Sequence, residues 1–232
     1  MDEKGIFRHE LKYEISYLQY LELRSRLGGL MRQDTHIGPD GSYLVRSIYF
    51  DNYADKALRE KKDGVPRREK FRIRYYNDDL SYMVLEKKTR QDYLGRKEDA
   101  VITEEECRRL LEGGVNWMRG HPSPLVRELY IKMRYQMLRP RVLVSYVREP
   151  YVYKAGNVRV TFDSHIRATL CRKAFLGEGD GIGGIGAAEG PGDMVMEVKY
   201  DAFLPEVVRN VIQTGMMRQQ AFSKYEACRR FG

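Results

Sequence analysis

Lys70, Arg72 and Arg74 stand at every second position of the chain, with Phe71 and Ile73 between them. Side chains on a strand alternate between its two faces, so an extended backbone here lines one side with positive charge and packs the other. The pattern recurs. Residues 7–15 set Arg8, Glu10, Lys12 and Glu14 against Phe7, His9, Leu11, Tyr13 and Ile15, and residues 82–90 place Glu86, Lys88 and Arg90 on one face. Residues 158–167 set Arg159, Thr161, Asp163, His165 and Arg167 against Val158, Val160, Phe162, Ser164 and Ile166; residues 194–199 set Glu197 and Lys199 against Met194, Met196 and Val198.

A polar face turned to solvent is the ordinary reason for such alternation in a single strand. Five or six strands of this kind admit a second arrangement, a closed barrel with its charged faces turned inward. There, like charges repel strongly unless a polyanion or a metal joins them. That arrangement predicts an anion tunnel.

The 232 residues carry no Pro/Ser-rich linker, which favours one domain over residues 1–232 with a sizeable core. Lys and Arg number 41 against 33 Asp and Glu, a net charge of +8, so the partner is expected to be anionic, with nucleic acid, phospholipid and phosphorylated metabolites all open. Cys107, Cys171 and Cys228 are widely spaced and have no neighbouring Cys or His at metal-ligand spacing. They read as reduced thiols, and the expected location is cytoplasmic. No apolar run approaches the roughly 18–20 residues a bilayer span needs, and no signal core follows the N-terminus, so membrane association is expected only through a membrane-protein partner.

Expected strands cover residues 7–15, 43–51, 68–76, 82–91, 95–102, 141–149, 151–154, 157–167 and 193–200, with Asn77, Asp78 and Asp79 forming a hairpin turn. A helix over 17–30 would present Leu18, Leu21, Leu23, Leu27 and Leu30 to the core. Thr103 and Glu106 fit a capping box for a short helix ending near Leu111. Ser123 and Pro124 start another, whose Leu125, Leu129, Met133 and Met137 form a core stripe before Pro140 stops it. Pro205 opens a last helix that ends by Gly215. Residues 181–186 satisfy GxGxxG, but a strand follows where a βαβ unit needs a helix, so residues 177–192 read as a loop joining two strands.

Arg recognises phosphate through two parallel hydrogen bonds, and Lys through a compact charge. Arg72, Arg74, Lys88, Arg148, Arg167 and Lys199 are therefore natural ligands for a chain of phosphates if their strands share one interior. Glu197, two positions before Lys199, is either a ligand for Mg²⁺ or Mn²⁺ or an ion-pair partner of a neighbouring cation. The sequence contains no GxxxxGK[ST], HExxH or GxSxG, and its four histidines are scattered singly. Phosphoryl transfer relies mainly on positioning, metal and positive charge, so it does not require those motifs.

Eight short segments, in order, carry a resemblance. They are FRHELKY from Phe7, SIYFD from Ser47, KFRIRY from Lys70, LEKKTR from Leu85, SYVR from Ser145, RVTFD from Arg159, MEVKY from Met196 and FSKY from Phe222. Together they span almost the whole chain, and they resemble the polyphosphate polymerase domain of the vacuolar transporter chaperone family. That family belongs to the triphosphate tunnel metalloenzymes, so the resemblance implies an α+β fold: an antiparallel β-barrel tunnel with peripheral helices. It further implies that ATP donates its terminal phosphate to polyphosphate with release of ADP and that Mn²⁺ or Mg²⁺ is required; pyrophosphate is a candidate primer, and the physiological primer stays open. By motif, Arg72, Arg74 and Lys88 would grip the donor phosphates, and Arg148 and Lys224 would complete the cationic lining. Tyr146 and Ser223 would add hydrogen bonds, Lys12 and Lys199 would line the tunnel, and Glu197 would hold the metal.

Two departures qualify what the resemblance implies. The wider superfamily often begins with a Glu-x-Glu-x-Lys strand, whereas Arg8 stands at the first of those positions and only Glu10 and Lys12 remain. This favours a polymerase over tunnel triphosphatases or adenylate cyclases. The eukaryotic proteins also carry a phosphate-sensing domain and membrane helices that this sequence lacks, so vectorial transport is not implied. The alternatives are a tunnel triphosphatase acting on tripolyphosphate or nucleoside triphosphates, and a non-catalytic module binding polyphosphate or nucleic acid. Nucleic acid is not the expected ligand, because Phe71, Ile73 and Tyr75 face away from the cations and would not stack on bases.

Overall fold

Asn77 and Asp78 both adopt left-handed backbone, with φ of 50° and 58°. Two consecutive left-handed residues make a two-residue turn whose twist matches that of the flanking strands. It joins β4 (Arg67–Tyr76) to β5 (Asp79–Gln91), as the sequence predicts. The computed structural model describes residues 8–35, 37–92, 94–178, 185–186, 194–213, 217, 219 and 222–229.

Around this hairpin, β1 (His9–Ile15), β3 (Tyr43–Asp51), β6 (Leu94–Ile102), β7 (Arg139–Tyr153), β8 (Val158–Thr169) and β10 (Met194–Tyr200) form one antiparallel sheet in the order β1-β10-β8-β7-β3-β4-β5-β6. Two-residue strands β2 (Arg32–Gln33) and β9 (Ile185–Gly186) add to β7 and β8. The sheet curls until its edges meet at a single bridge, Arg8 to Gly95. Among the described residues no further ladder joins β1 to β6, so the tunnel is an open, curled sheet rather than a barrel closed by continuous pairing.

Alternation supplies the layers. On the convex side Ile48, Phe71, Ile73, Tyr75 and Leu85 pack against α3 (Glu104–Leu111) and α4 (Pro124–Tyr135). The capping box of α3 is present, with the Thr103 hydroxyl accepting from the Glu106 amide and the Glu106 carboxylate accepting from that of Thr103. A second convex cluster packs Val160, Phe162, Met196 and Val198 against α1 (Tyr17–Gly28) and α5 (Glu206–Ile212). The third cluster lies on the concave side: Val45, Val142, Val144, Ile166 and Val195 are covered by Tyr225 and Cys228 of α6 (Lys224–Cys228). This helix fills the apolar part of the concave face and leaves the charged part as a cavity.

Several expectations need correction. Only Leu23 and Leu27 of α1 are buried, whereas Leu18 and Leu21 are exposed. Helix α4 stops at Tyr135, and Met137 lies beyond it, exposed and left-handed. Pro140 therefore does not stop the helix but sits in β7, at the bulge where the β3 ladder shifts register. Strand β7 also runs unbroken through Pro150, which lies past the last β3 partner at Arg148, where a missing N–H costs no ladder bond. Helices α2 (Lys56–Lys62) and α6 were not anticipated as packed elements. Phe7, Asp193, Gly215 and most of the expected 177–192 loop lie outside the described residues; the last two positions of the GxGxxG match, Ile185 and Gly186, form β9.

Candidate anion-binding tunnel

The concave face encloses a cavity of about 1140 Å³ lined by fourteen Lys and Arg side chains against six Asp and Glu. Ten of the eleven residues expected from sequence line it: Lys12, Arg72, Arg74, Lys88, Tyr146, Arg148, Glu197, Lys199, Ser223 and Lys224. Arg167 does not. In β8, His165 adopts left-handed backbone (φ 51°), and the ladder to β7 jumps from Val147↔Ser164 to Ser145↔Arg167. One extra residue reverses the alternation beyond it. Ile166 and Ala168 thus turn into the concave cluster, and Arg167 is exposed on the other face.

Strand β3 positions the central arginines. Tyr49 lies directly opposite Arg72, and Ser47 directly opposite Arg74. Arg72 donates from Nη1 to the Tyr49 hydroxyl (2.9 Å) and from Nε to Glu86 Oε2 (2.5 Å). Arg74 donates from Nε to Ser47 Oγ (3.0 Å) and from Nη2 to the Tyr146 hydroxyl (3.0 Å), and its nearest carboxylate, Glu86, is 4.0 Å away. Burial alone would weaken the charge of both guanidinium groups, yet Glu86 holds Arg72 firmly protonated and Arg74 is likewise raised. Burial also works against ionisation of Tyr49, but Arg72, Arg74 and Lys224 override it and lower its pKa. Sequence reading did not assign Tyr49, Ser47 and Glu86 to the site; alternation sets Glu86 on the face of Lys88, but the cross-strand places of all three opposite Arg72 and Arg74 emerge only from the register.

On β7, Arg148 makes a bidentate contact to buried Asp163 (2.6 and 2.7 Å) and reaches Glu197 at 3.3 Å. Lys224, the first residue of α6, pairs with Asp163 at 2.5 Å and lies over the Tyr146 ring, so it is buried and points inward. Ser223 caps that helix by accepting from the Glu226 amide, and it also accepts from Lys70 (3.4 Å). Its hydroxyl is therefore already engaged in helix capping.

Glu197 lies 3.5 Å from both Lys12 and Lys199, and Lys12 lies 3.3 Å from Glu10. Desolvation would raise the Glu197 pKa, but Lys199 and Lys12 hold it well below the usual carboxylate range. Lys199 is pushed down to about 8 by burial, against the pull of Glu197 and Glu10. Glu10 also pairs with Lys88, and its buried Oε1 is the oxygen that faces Lys12. Among the described residues no group of three or more His, Cys, Asp or Glu gathers as a metal site. Two ionised carboxylates lining one cavity are nevertheless the kind of donor set that Mg²⁺ or Mn²⁺ uses when phosphates supply the rest.

The sequence profile of the VTC domain matches residues 7–231. None of the curated protein sequences compared matches this chain. Among solved structures, the chain is similar to a Bacillus halodurans protein described as a candidate adenylate cyclase (16% identity, 89% of this chain and 86% of that one, TM-score 0.48). It is also similar to a conserved hypothetical protein of Pyrococcus furiosus (13% identity, 88% and 85%, TM-score 0.44) and to PH1819 of Pyrococcus horikoshii (13%, 88% and 84%, TM-score 0.43). No described helix is long and apolar enough to cross a membrane.

Proposed function

The chain belongs to the VTC domain family, and from that premise we propose that it is a metal-dependent polyphosphate polymerase in the cytoplasm. The observation that carries this reading is Arg74, a buried cation whose hydrogen bonds go to neutral hydroxyls and whose nearest carboxylate, Glu86, lies at 4.0 Å and is shared with Arg72 and Lys97. Arg72 and Lys88, on β4 and β5, complete a cradle for the donor phosphates of ATP, and Arg148 and Lys224 line the same cavity around Tyr146. Transfer exchanges the bond between the γ-phosphorus and the β,γ-bridging oxygen for a bond to the terminal oxygen of the chain. ADP departs with the electron pair, and the polymer grows by one phosphate. Side chains already fixed before the reaction supply the positioning and charge stabilisation such a transfer needs.

Glu197 and Glu10 would hold Mn²⁺ or Mg²⁺, which supplies charge neutralisation between phosphate oxygens. Tyr146 hydrogen-bonds to Arg74, and Lys12 and Lys199 keep Glu197 ionised. A second reading, hydrolysis of tripolyphosphate, draws support from the carboxylates Glu10, Glu86 and Glu197 in the cavity. Product analysis separates the two: polymer from ATP for the polymerase, and for the hydrolase orthophosphate with the shortened co-product, pyrophosphate from tripolyphosphate or ADP from ATP, and no polymer. Aromatic residues Phe71 and Tyr75 are buried in the convex core, which argues against a base-stacking groove.

A further inference from the structure

Beyond the Arg72 and Arg74 level, the cavity wall is built from like charges set directly against one another. Lys70 is opposite Lys88, which is opposite Lys97, and Arg68 is opposite Arg90. All five line the cavity. Like charges directly opposite in an antiparallel ladder destabilise it. Lys88 and Lys97 are offset by Glu10 and Glu86. Arg68, Lys70 and Arg90 have no carboxylate within 4.0 Å among the described residues, and they donate only to the Val65 carbonyl, the Ser223 hydroxyl and the Asp92 carbonyl. Arg68 and Arg74 are six residues apart on one strand, about 20 Å at roughly 3.3 Å per residue. An anion of three phosphates gripped at Arg74 does not reach that far.

We infer that Arg68 and Arg90, with Lys70 at their border with the cradle opposite Lys88, form an outer subsite that engages only polyphosphate long enough to extend past Arg72, Arg74 and Lys88, so that this part of the cavity selects the acceptor by chain length. The inference rests on the reading of the cavity as a phosphate-chain site but not on turnover. Three cations left without carboxylates on one wall are a standing repulsion, and a multivalent chain removes it by bridging them. A compact anion at the cradle leaves it in place.

The test measures equilibrium binding of tripolyphosphate and of long-chain polyphosphate, without ATP, to the intact protein and to Arg68→Ala, Arg68→Lys and Arg74→Ala. Arg68→Ala is expected to reduce the preference for the long chain over tripolyphosphate about tenfold, the effect of one lost charge-assisted contact. Arg68→Lys should restore that preference, and Arg74→Ala should weaken both ligands. Because Arg68→Ala relieves the repulsion from Arg90 across the ladder, its melting temperature should not fall, and an equal loss for both ligands therefore cannot be assigned to misfolding. Such an equal loss, or an unchanged preference, overturns the inference, as does displacement of the long chain by a single-stranded RNA at equal phosphate concentration. Absence of polymer synthesis alongside a lost preference would sink the polymerase reading and leave the outer subsite standing.

Discussion

Arg74 stands directly across the ladder from Ser47 and donates its Nε hydrogen to the Ser47 hydroxyl at 3.0 Å. The guanidinium is thus aimed by a neutral partner, and its ion pair is a long contact to Glu86 at 4.0 Å, a carboxylate also engaged by Arg72 and Lys97.

Arg74→Ala should weaken tripolyphosphate binding by about 10–100-fold, because it removes a charged hydrogen-bonding partner of the ligand. Ser47→Ala leaves the charge and loosens its aim, so its effect should be smaller, about threefold to tenfold, in line with one neutral hydrogen bond. Isothermal titration with the two variants checks the order; equal losses would mean that Ser47 contacts the ligand itself.

Glu197→Gln separates metal binding from phosphate binding. Lys12, Lys199 and Arg148 all lie within 3.5 Å of Glu197, so removing its charge frees three cations. Tripolyphosphate should bind more tightly without metal, while the enhancement by Mn²⁺ should disappear. Titrations with and without Mn²⁺ measure both effects.

Asp163→Asn should destabilise the protein by about 3–5 kcal/mol, the cost of leaving buried charges unpaired. Asp163 is fully buried and holds Arg148 and Lys224 together. Because Lys224 begins α6, the loss should also release that helix from the concave face. Chemical denaturation gives the stability, and hydrogen exchange across residues 222–229 reports on the helix.

Lys70 gives the anion-free protein a pH dependence of defined sign. Burial, then Lys12, Lys88, Arg68 and Lys61, push its pKa down to about 7, and the α6 groups facing it, Ser223 and Tyr225, bring no negative charge. An unfolded lysine titrates near about 10.4, so between these values the unfolded chain binds more protons and stability rises with pH. Lys199, pushed down to about 8, has the same sign, whereas Glu10, Glu86 and Glu197 are held low, so the stability they contribute is fully present at neutral pH and is lost only in acid. Bound long-chain polyphosphate keeps Lys70 protonated and should flatten the rise. Thermal melts across neutral to mildly alkaline pH, with and without polyphosphate, test this.

Period-two alternation made the strands legible, because one face of each had to be buried and the other had to meet charge. It put Arg72, Arg74, Lys88, Glu197 and Lys199 on the polar faces of their strands, and the curl of the sheet brings those faces to one cavity, which alternation alone left open. It failed at Arg167, because a bulge at His165 shifts parity by one residue and nothing in the alternating sequence marks it. Helix α6 was equally hidden: five residues carry too little periodicity to announce a helix, and its position depends on Asp51 accepting from the Tyr225 hydroxyl at 2.5 Å across the fold. The neutral partners Ser47 and Tyr49 became meaningful only once the β3 to β4 register was known.

The most direct test of the central claim is incubation of the purified protein with γ-labelled ATP, Mn²⁺ and a pyrophosphate primer, followed by sizing of labelled products. The polymerase account predicts ADP and a labelled, polyphosphatase-sensitive polymer, both lost in Arg74→Ala. Label appearing only as orthophosphate, or remaining in ATP, would contradict it.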